Sequence, residues 1–334
     1  MRLVVFSICK DEAATIARVI EGIPPEIAGI SEVQVLVVSD GSTDETAEIA
    51  RRSGATVIEG RVQRRLAFRF QQAVNEALAM GADIAVNIDG DLQFDPAEIP
   101  QLVAPIVAGA ADFVAADRFA SSLSGQKRRP ENMPLSKYWG NRLGARVVST
   151  LSGGSFNDVT CGFRAYNRTA LLALNINTKH TYTQESFQLL TEAGLDVETL
   201  PVEVTYYPGR ESRVVTSIWT FTATSAVNIL RAYRDFAPLR FFFMLGLLAV
   251  LPGFAASAFV GGHWLVTGRT SPYTSLGLVG VYIFSLGLLL WVVGLLADMQ
   301  VRTTRNQEKI LRMLKDVTYS TEAEFIDVRT SEDD

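Results

Sequence analysis

The sequence has little cysteine, little histidine and no excess of positive charge. Its 334 residues include two cysteines and two histidines, and the formal net charge is −5. Two cysteines set no disulfide framework, and Cys9 and Cys161 each fall in a segment that reads as folded, so we expect two buried thiols. The lack of a domain-wide basic excess argues against nucleic acid as a bulk partner.

Several other familiar signals are missing. The first apolar stretch ends at Lys10-Asp11-Glu12 after only about six residues, which is too short for a secretory signal. The same three residues stand where a dinucleotide-dependent oxidoreductase would need Gly-x-Gly-x-x-Gly after the first strand. We find no internal repeat. We therefore expect residues 1–235 to remain in the cytosol, and we exclude the oxidoreductase class.

Two long uncharged runs follow this first part of the chain, at 241–262 and 270–297. Each is long enough to cross a hydrocarbon core about 30 Å thick at 1.5 Å per residue. Both runs are apolar on every side, whereas a helix on the surface of a soluble core is apolar on one side only. They predict two transmembrane helices, at about 240–262 and 275–297.

Positive charge lies on one side of these predicted spans. The connection between them holds only Arg269, whereas the two outer flanks hold Arg231, Arg234, Arg240, Arg302, Arg305, Lys309, Arg312 and Lys315. Lysine and arginine collect on the cytoplasmic side of short flanks. The pattern predicts a multi-pass protein of the cell membrane with two spans and both termini in the cytoplasm.

The part before the spans alternates strands and helices. Nearly continuous apolar strands are predicted at 2–8, 33–38, 55–58, 84–88 and 112–115, with helices between them, a loop at 119–140, a helix at 141–151, a turn-rich stretch at 158–167, a helix at 184–193 and a strand at 196–207. This alternation is typical of an α/β fold whose mostly parallel central sheet is covered on both faces.

The predicted organisation has four parts. An α/β domain at 1–214 precedes a region at 215–238, whose aromatic residues favour an interfacial amphipathic helix over an ordinary core helix. The two spans occupy 239–298, and a cytoplasmic helix and tail occupy 299–334. The polar end of the chain, 318–334, predicts poor order.

Acidic turns follow two of the predicted strands. Asp89 and Asp91 stand one residue apart directly after the strand at 84–88, and Asp40 follows the strand at 33–38. Ligand sites in such sheets form at the carboxyl ends of strands. Two carboxylates at that edge can converge on Mg²⁺ or Mn²⁺, which prefer oxygen ligands. Asp40 is placed to accept a hydrogen bond from a nucleobase or a ribose hydroxyl.

The order of these motifs resembles family 2 glycosyltransferases with the GT-A fold, over roughly residues 3–240. The run DGDLQFDP at 89–96 is similar to the polyprenyl-phosphate branch, typified by dolichyl-phosphate mannose synthases and polyprenyl-phosphate glucosyltransferases. Further similar elements are Ala116-Asp117-Arg118-Phe119, the stretch 130–137, the segment 158–166 and Glu211-Ser212-Arg213. The usual Pro-x-Tyr-Asn-Glu opening is replaced here by residues 8–12.

The resemblance implies an activity: inverting, metal-dependent transfer of a hexose from a UDP- or GDP-linked sugar to a polyprenyl or dolichyl phosphate at the cytoplasmic membrane face. The phosphate is itself a nucleophile, so no strong general base is needed. Asp91 and Arg118 are the predicted catalytic residues. A homo-oligomer is also compatible with the resemblance. By the same resemblance, the metal and donor diphosphate would be held by Asp89, Asp91 and Gln93, the nucleoside by Glu12 and Asp40, and the acceptor phosphate by Arg118, Lys137 and Arg210 or Arg213.

Two rival interpretations share the fold. A processive polysaccharide synthase would carry a Gln-x-x-Arg-Trp element and more spans, and neither is found in the sequence. A catalytically silent membrane scaffold would not need the intact Asp89 and Asp91 pair, and a donor-hydrolysis assay separates it from an enzyme.

Overall fold

The computed structural model describes residues 1–120, 129–131, 133–176, 182–206, 234 and 237–332, with side chains through residue 320 apart from those at 136 and 151. Seven strands form one sheet in the order β3-β2-β1-β4-β6-β5-β7. The strands are β1 (Arg2–Cys9), β2 (Glu32–Ser39), β3 (Thr56–Glu59), β4 (Ile84–Asn87), β5 (Phe113–Asp117), β6 (Arg164–Asn167) and β7 (Val197–Pro201). All neighbours are parallel except β6, which is antiparallel to both β4 and β5.

The helices connect these strands and then continue beyond the sheet. They are α1 (Ile16–Glu21), α2 (Thr46–Arg52), α3 (Leu66–Ala79), α4 (Ile99–Val107), α5 (Leu135–Ser152), α6 (Arg168–Ala173), α7 (Thr183–Glu192), α8 (Pro238–Thr267) and α9 (Thr274–Glu332). The predicted α/β class with a mostly parallel sheet is confirmed.

The sheet is buried on both faces, which explains why its strands read as continuous apolar runs. On β1, Val4 and Phe6 point into one core together with Phe70 of α3. Leu3 and Val5 point into the other core, which α4 covers. Because successive side chains of a strand alternate between faces, one strand supplies both layers.

The acidic turns lie where the strand order reverses. From β1 the chain runs outward through β2 to β3, and it then returns to place β4 on the other side of β1. The connections therefore leave a crevice at the carboxyl ends of β1 and β4, where ligand sites of open parallel sheets form. Asp89 and Asp91 follow β4 at this edge, and Asp40 follows β2.

Three local predictions differ from the structure. Helix α5 begins at Leu135 directly after Pro134, within the stretch predicted as loop. The turn-rich stretch 158–167 contains β6, a strand of four residues that is too short to show a periodic pattern. Helix α9 runs as one continuous helix from the second predicted span to Glu332, because the chain holds no proline after Pro272 and no glycine after Gly294 to end it. The poor order expected of 318–334 stays a prediction.

The described chain divides into two compact units, Met1–Val215 with Glu308–Asp334, and Thr216–Gln307. In the first unit, the end of α9 packs on the α/β part. Lys315 Nζ donates to the carbonyl oxygen of Leu174 at 2.8 Å, just after α6. Tyr319, one turn further on, packs against the core cluster that includes Phe70. The C-terminal end of this helix is therefore part of the α/β unit.

The second unit consists mainly of two helices packed through glycines. A Cβ atom at Gly253 would lie 2.4 Å from the backbone nitrogen of Phe284, and one at Gly287 would lie 2.6 Å from Val250 Cγ2. Such close approach of backbones through small residues is typical of helix pairs in membranes. Both helices are long and apolar enough to cross a membrane. The two predicted apolar helices are confirmed, and they support a membrane localisation.

Candidate active site

The acidic turn after β4 has an unusual backbone. Leu92 adopts φ 60°, a left-handed conformation that costs a branched residue of order 1–2 kcal/mol. Just beyond it, the backbone N–H of Gln93 donates to Asp91 Oδ1 at 3.1 Å. Burial, followed by the charge of Asp91, raises the pKa of Asp89 to about 6. The ionised form of Asp89 is thus disfavoured by the protein alone, and a bound cation would favour it.

Space beside Asp89 is kept by a glycine. A Cβ atom at Gly162 would lie 2.9 Å from both carboxylate oxygens of Asp89. The Gly162 backbone is held in place because its carbonyl oxygen accepts a hydrogen bond from Asn87 Nδ2 at 2.7 Å. Asn87 also donates to the hydroxyl of Tyr182 at 2.6 Å. The resemblance included Gly162 only as part of a motif, whereas the structure shows that it leaves room for the Asp89 carboxylate.

Asp40 is one half of a buried ion pair. Its Oδ1 accepts from Arg69 Nε at 2.8 Å and from the backbone N–H of Arg64 at 2.7 Å. The Arg69 guanidinium also donates to the carbonyl oxygen of Val62 at 2.9 Å. Sequence analysis missed Arg69, although an arginine within the apolar stripe of α3 is a signal of a buried ion pair.

Glu12 lies at the same edge of the sheet. Its backbone N–H donates to Thr46 Oγ1 at 2.8 Å, which joins the loop after β1 to α2. Thr15 Oγ1, one turn later, donates to the carbonyl oxygen of Gly90 at 2.7 Å and contacts Glu12 Oε2 at 3.3 Å. The structure therefore brings the predicted nucleoside side and the acidic turn together through Thr15.

Arg118, directly after β5, forms a two-point ion pair with Asp158. Nε donates to Asp158 Oδ2 at 2.6 Å and Nη2 donates to Asp158 Oδ1 at 3.0 Å, while Nη2 also reaches Thr160 Oγ1 at 2.7 Å. Burial alone would raise the pKa of Asp158, but the Arg118 charge holds it below its ordinary value. The guanidinium predicted to receive the acceptor phosphate is therefore already neutralised by a buried carboxylate.

Lys137, in the first turn of α5, is in the opposite situation. Its ammonium lies 5.1 Å from the centre of the Tyr206 ring, and among the described residues no carboxylate lies within ion-pair distance of it. Burial, followed by the charge of Arg118, lowers the pKa of Lys137, whereas Asp91 acts in the other direction. A half-buried ammonium of this kind is stabilised when an anion binds.

Tyr206 connects the two cationic residues. Its hydroxyl accepts from Arg118 Nη1 at 3.2 Å, and its ring faces Lys137. The preceding residue, Thr205, donates its backbone N–H to the carbonyl oxygen of Gln93 at 2.9 Å. This bond ties the acidic turn to the cationic side of the site. Sequence analysis missed Tyr206, because nothing distinguished it from the adjacent Tyr207.

The structure thus places Glu12, Asp40, Asp89, Asp91, Gln93, Arg118 and Lys137 at one edge of the sheet. Arg210 and Arg213, the basic residues at 127 and 128 and most of the predicted interfacial helix lie outside the described residues. The assignment of each side chain to donor, metal or acceptor remains a prediction.

Comparison with known proteins identifies the class. Residues 4–174, just over half of the chain, match the family model described as Glycosyl transferase family 2. The chain belongs to this family and is a glycosyltransferase, as the motifs predicted. Its fold is also found in the glucosyl-3-phosphoglycerate synthase of Mycobacterium tuberculosis, with a TM-score of 0.50 and 21% identity over 70% of this chain and 78% of that one. The predicted GT-A fold is confirmed.

Several relatives match between 65% and 91% of the chain. Glycosyltransferase AglJ of Haloferax volcanii is 27% identical over 91% of this chain and 95% of its own. A dolichyl-phosphate hexose transferase of the same organism is 29% identical, over 65% of this chain and 87% of its own. An undecaprenyl-phosphate 4-deoxy-4-formamido-L-arabinose transferase of Pseudomonas aeruginosa is 24% identical, over 84% and 81%.

Proposed function

We propose that this glycosyltransferase moves a hexose from a UDP- or GDP-linked donor to a polyprenyl or dolichyl phosphate, with inversion, at the cytoplasmic membrane face. The observation that carries the proposal is Lys137. A half-buried ammonium that lacks a carboxylate partner in the described part of the chain, beside Arg118 and close to Asp91, suits an acceptor that carries its own negative charge. A neutral acceptor group, such as a sugar hydroxyl or a serine side chain, would not neutralise it.

The donor side fits a divalent cation. Asp89, Asp91 and Gln93 would hold Mg²⁺ or Mn²⁺ and the donor diphosphate, because the two neighbouring carboxylates repel each other and these cations prefer oxygen ligands. Among the described residues, no group of three or more Asp, Glu, His or Cys side chains is placed to hold a metal ion alone, and donor oxygens would complete the coordination. The metal would neutralise charge on the leaving diphosphate. The solved synthase with this fold is described in complex with Mn²⁺ and UDP, which supports the assignment.

The acceptor side of the site needs only to bind the lipid phosphate and to orient it toward the donor sugar. A phosphate oxygen of the lipid attacks the anomeric carbon, the bond from that carbon to the donor diphosphate breaks, and attack from the opposite side inverts the centre. Lys137 would hold the phosphate, Arg118 in its ion pair with Asp158 would chiefly fix the segments around it, and Tyr206 would orient both cations. Positioning of two reactants in this way supplies a large part of a rate enhancement. Arg210 or Arg213 would add a further donor.

The membrane helices agree with a lipid acceptor. Relatives named for dolichyl phosphate and undecaprenyl phosphate support this choice. In the proposed organisation, 1–214 forms the catalytic domain, 215–238 an interfacial helix, 239–298 two spans and 299–334 a cytoplasmic helix and tail. An enzyme beside the bilayer meets an acceptor that cannot leave it.

A transfer assay tests the proposal. The purified full chain in lipid nanodiscs is incubated with Mg²⁺ or Mn²⁺, with each of a panel of UDP- and GDP-sugars, and with either polyprenyl phosphate or polyprenyl alcohol. We expect transfer to the phosphate alone. Equal transfer to the alcohol would refute the role of the phosphate, and donor hydrolysis that no lipid accelerates would refute the lipid acceptor.

The orientation has a separate test. A cysteine at Ser271 should react with an impermeant maleimide from outside intact cells, whereas one at Ser320 should react only after the cells are opened. The natural thiols should stay silent, because burial raises the pKa of both Cys9 and Cys161 to about 12. The reverse labelling pattern would place the donor site outside and would overturn a cytoplasmic reaction.

A further inference from the structure

Helix α5 presents an apolar face that the described residues of the α/β unit leave exposed. Leu135, Trp139 and Leu143 recur every four residues and are 61%, 67% and 52% exposed. Residues at this spacing lie along one side of a helix. Large apolar side chains clustered on a surface, with tryptophan among them, mark an interaction site more often than single exposed ones do.

The other side of α5 faces the protein. Ala145 and Val148 are buried in the core, and a Cβ atom at Gly144 would lie 3.2 Å from Gln184 of α7. Lys137 precedes Val148 by three helical turns and so lies on this inner side. The helix thus carries the phosphate-binding residue of the proposed site on one side and the apolar stripe on the other.

Charge identifies the occupant of the stripe. Helix α5 contains three basic residues and no acidic one, in a chain whose net charge is −5. Arg142 and Arg146 follow Trp139 and Leu143 by three residues each, so they border the apolar face. Tryptophan and leucine bordered by arginine are the composition of helices that lie in the interface of anionic membranes.

We propose that the face formed by Leu135, Trp139, Leu143 and Arg146, named here the α5 outer face, rests on the surface of an anionic bilayer at the level of the headgroups. This contact is separate from the two membrane helices. It keeps Lys137, on the inner side of the same helix, beside the headgroup layer from which a lipid phosphate enters. The contact itself does not depend on the identity of the sugar or the acceptor.

The membrane contact is tested first by fluorescence, in the absence of any sugar transfer. The full chain carries an environment-sensitive fluorophore on Trp139→Cys, or on Ala104→Cys as the control, and is placed in nanodiscs that contain phosphatidylglycerol. Ala104 is exposed on α4, which packs on the opposite face of the sheet. Lipids spin-labelled near the headgroup should quench most of the fluorescence at position 139 and leave position 104 unchanged.

Two outcomes of this experiment overturn the proposal. Fluorescence emission at position 139 typical of a fluorophore in water would mean that the α5 outer face is exposed to solvent. Blue-shifted emission that spin-labelled lipid does not quench would mean that protein covers the face, such as a second copy of the chain. Neither outcome depends on transferase activity, so they are distinct from a failure of the proposed function.

Kinetics then test what the contact does. Trp139→Glu should raise the apparent KM for polyprenyl phosphate embedded in the bilayer roughly tenfold, since burial of part of an indole is lost. The same variant should use a short, water-soluble prenyl phosphate as well as the wild type does, and Ala104→Glu should behave normally with both. An equal rise in KM for the soluble acceptor would place Trp139 in the acceptor pocket and refute a membrane contact.

Discussion

The candidate site has a proposed donor side and a proposed acceptor side, and each holds one charged residue that the protein neutralises and one that it does not. On the donor side, Asp40 is bound by the buried Arg69, whereas burial raises the pKa of Asp89 to about 6. On the acceptor side, Arg118 is bound by the buried Asp158, whereas burial lowers the pKa of Lys137.

This difference separates framework from ligand-binding groups. A buried ion pair with its hydrogen bonds satisfied fixes backbone segments and has little charge left to offer a substrate. A group whose charged form is disfavoured by its surroundings is stabilised when an oppositely charged ligand arrives, which is typical of functional sites. We infer that Asp89 with Asp91 and Lys137 bind the reactants, and that Asp40 and Arg118 chiefly hold the site in shape.

The largest expected effect concerns the acidic turn. Asp91→Asn should reduce transfer by about three orders of magnitude, because charge developing on the leaving diphosphate loses its counter-charge. The unfolding temperature should stay nearly constant. Asp196→Asn, at an exposed position, is the control. Transfer at the normal rate by Asp91→Asn, or no inhibition of the wild type by EDTA, would contradict the metal assignment.

The next effect concerns stability. Arg118→Ala should destabilise the full chain by about 3–5 kcal/mol, because Asp158 is left as an uncompensated buried charge. Lys137→Met should change stability by less than about 1 kcal/mol, since no described ion pair is broken. Thermal unfolding in detergent compares the two variants. Equal losses would remove the distinction between a framework residue and a binding residue.

The smallest effect is a pH dependence of acceptor binding. Burial and Arg118 lower the pKa of Lys137 against the opposing charges of Asp158 and Asp91, so its charge is lost at a lower pH than that of an ordinary lysine. The KM for the acceptor should therefore rise as the pH increases into the alkaline range. In Lys137→Arg, the KM for the acceptor should rise much less over the same pH range, because arginine stays charged. A rise of the same size in both enzymes would assign the titration to another group.

Sequence patterns predicted most of the fold for physical reasons. Strands buried on both faces read as unbroken apolar runs, and the acidic residues that follow them lie at the sheet edge. Helix α9 is longer than the predicted second span, because the chain after Gly294 contains no glycine or proline to end the helix. Strand β6 was missed because a strand of four residues is too short to show a periodic pattern of apolar side chains.

The candidate site was predictable in its residue types but not in its pairings. Asp40 and Asp89 were found from their positions after strands, and Arg118 from the family resemblance. Their partners came from distant parts of the chain, as with Asp158, which lies 40 residues beyond Arg118. A sequence shows that a charged residue is present, whereas only the fold shows whether another residue neutralises it.

The most direct measurement compares acceptor and donor binding in Lys137→Met. With the full chain in nanodiscs and the divalent metal present, we predict that the apparent KM for polyprenyl phosphate rises about ten- to a hundredfold, the equivalent of about 1.5–3 kcal/mol for a charged hydrogen bond. The Kd for a non-hydrolysable donor analogue, measured by calorimetry, should be unchanged, and Lys309→Met, at an exposed position of α9, should alter neither constant. Weaker donor binding with a normal acceptor KM would contradict the assignment of Lys137 to the acceptor side, and with it the division of the site by charge.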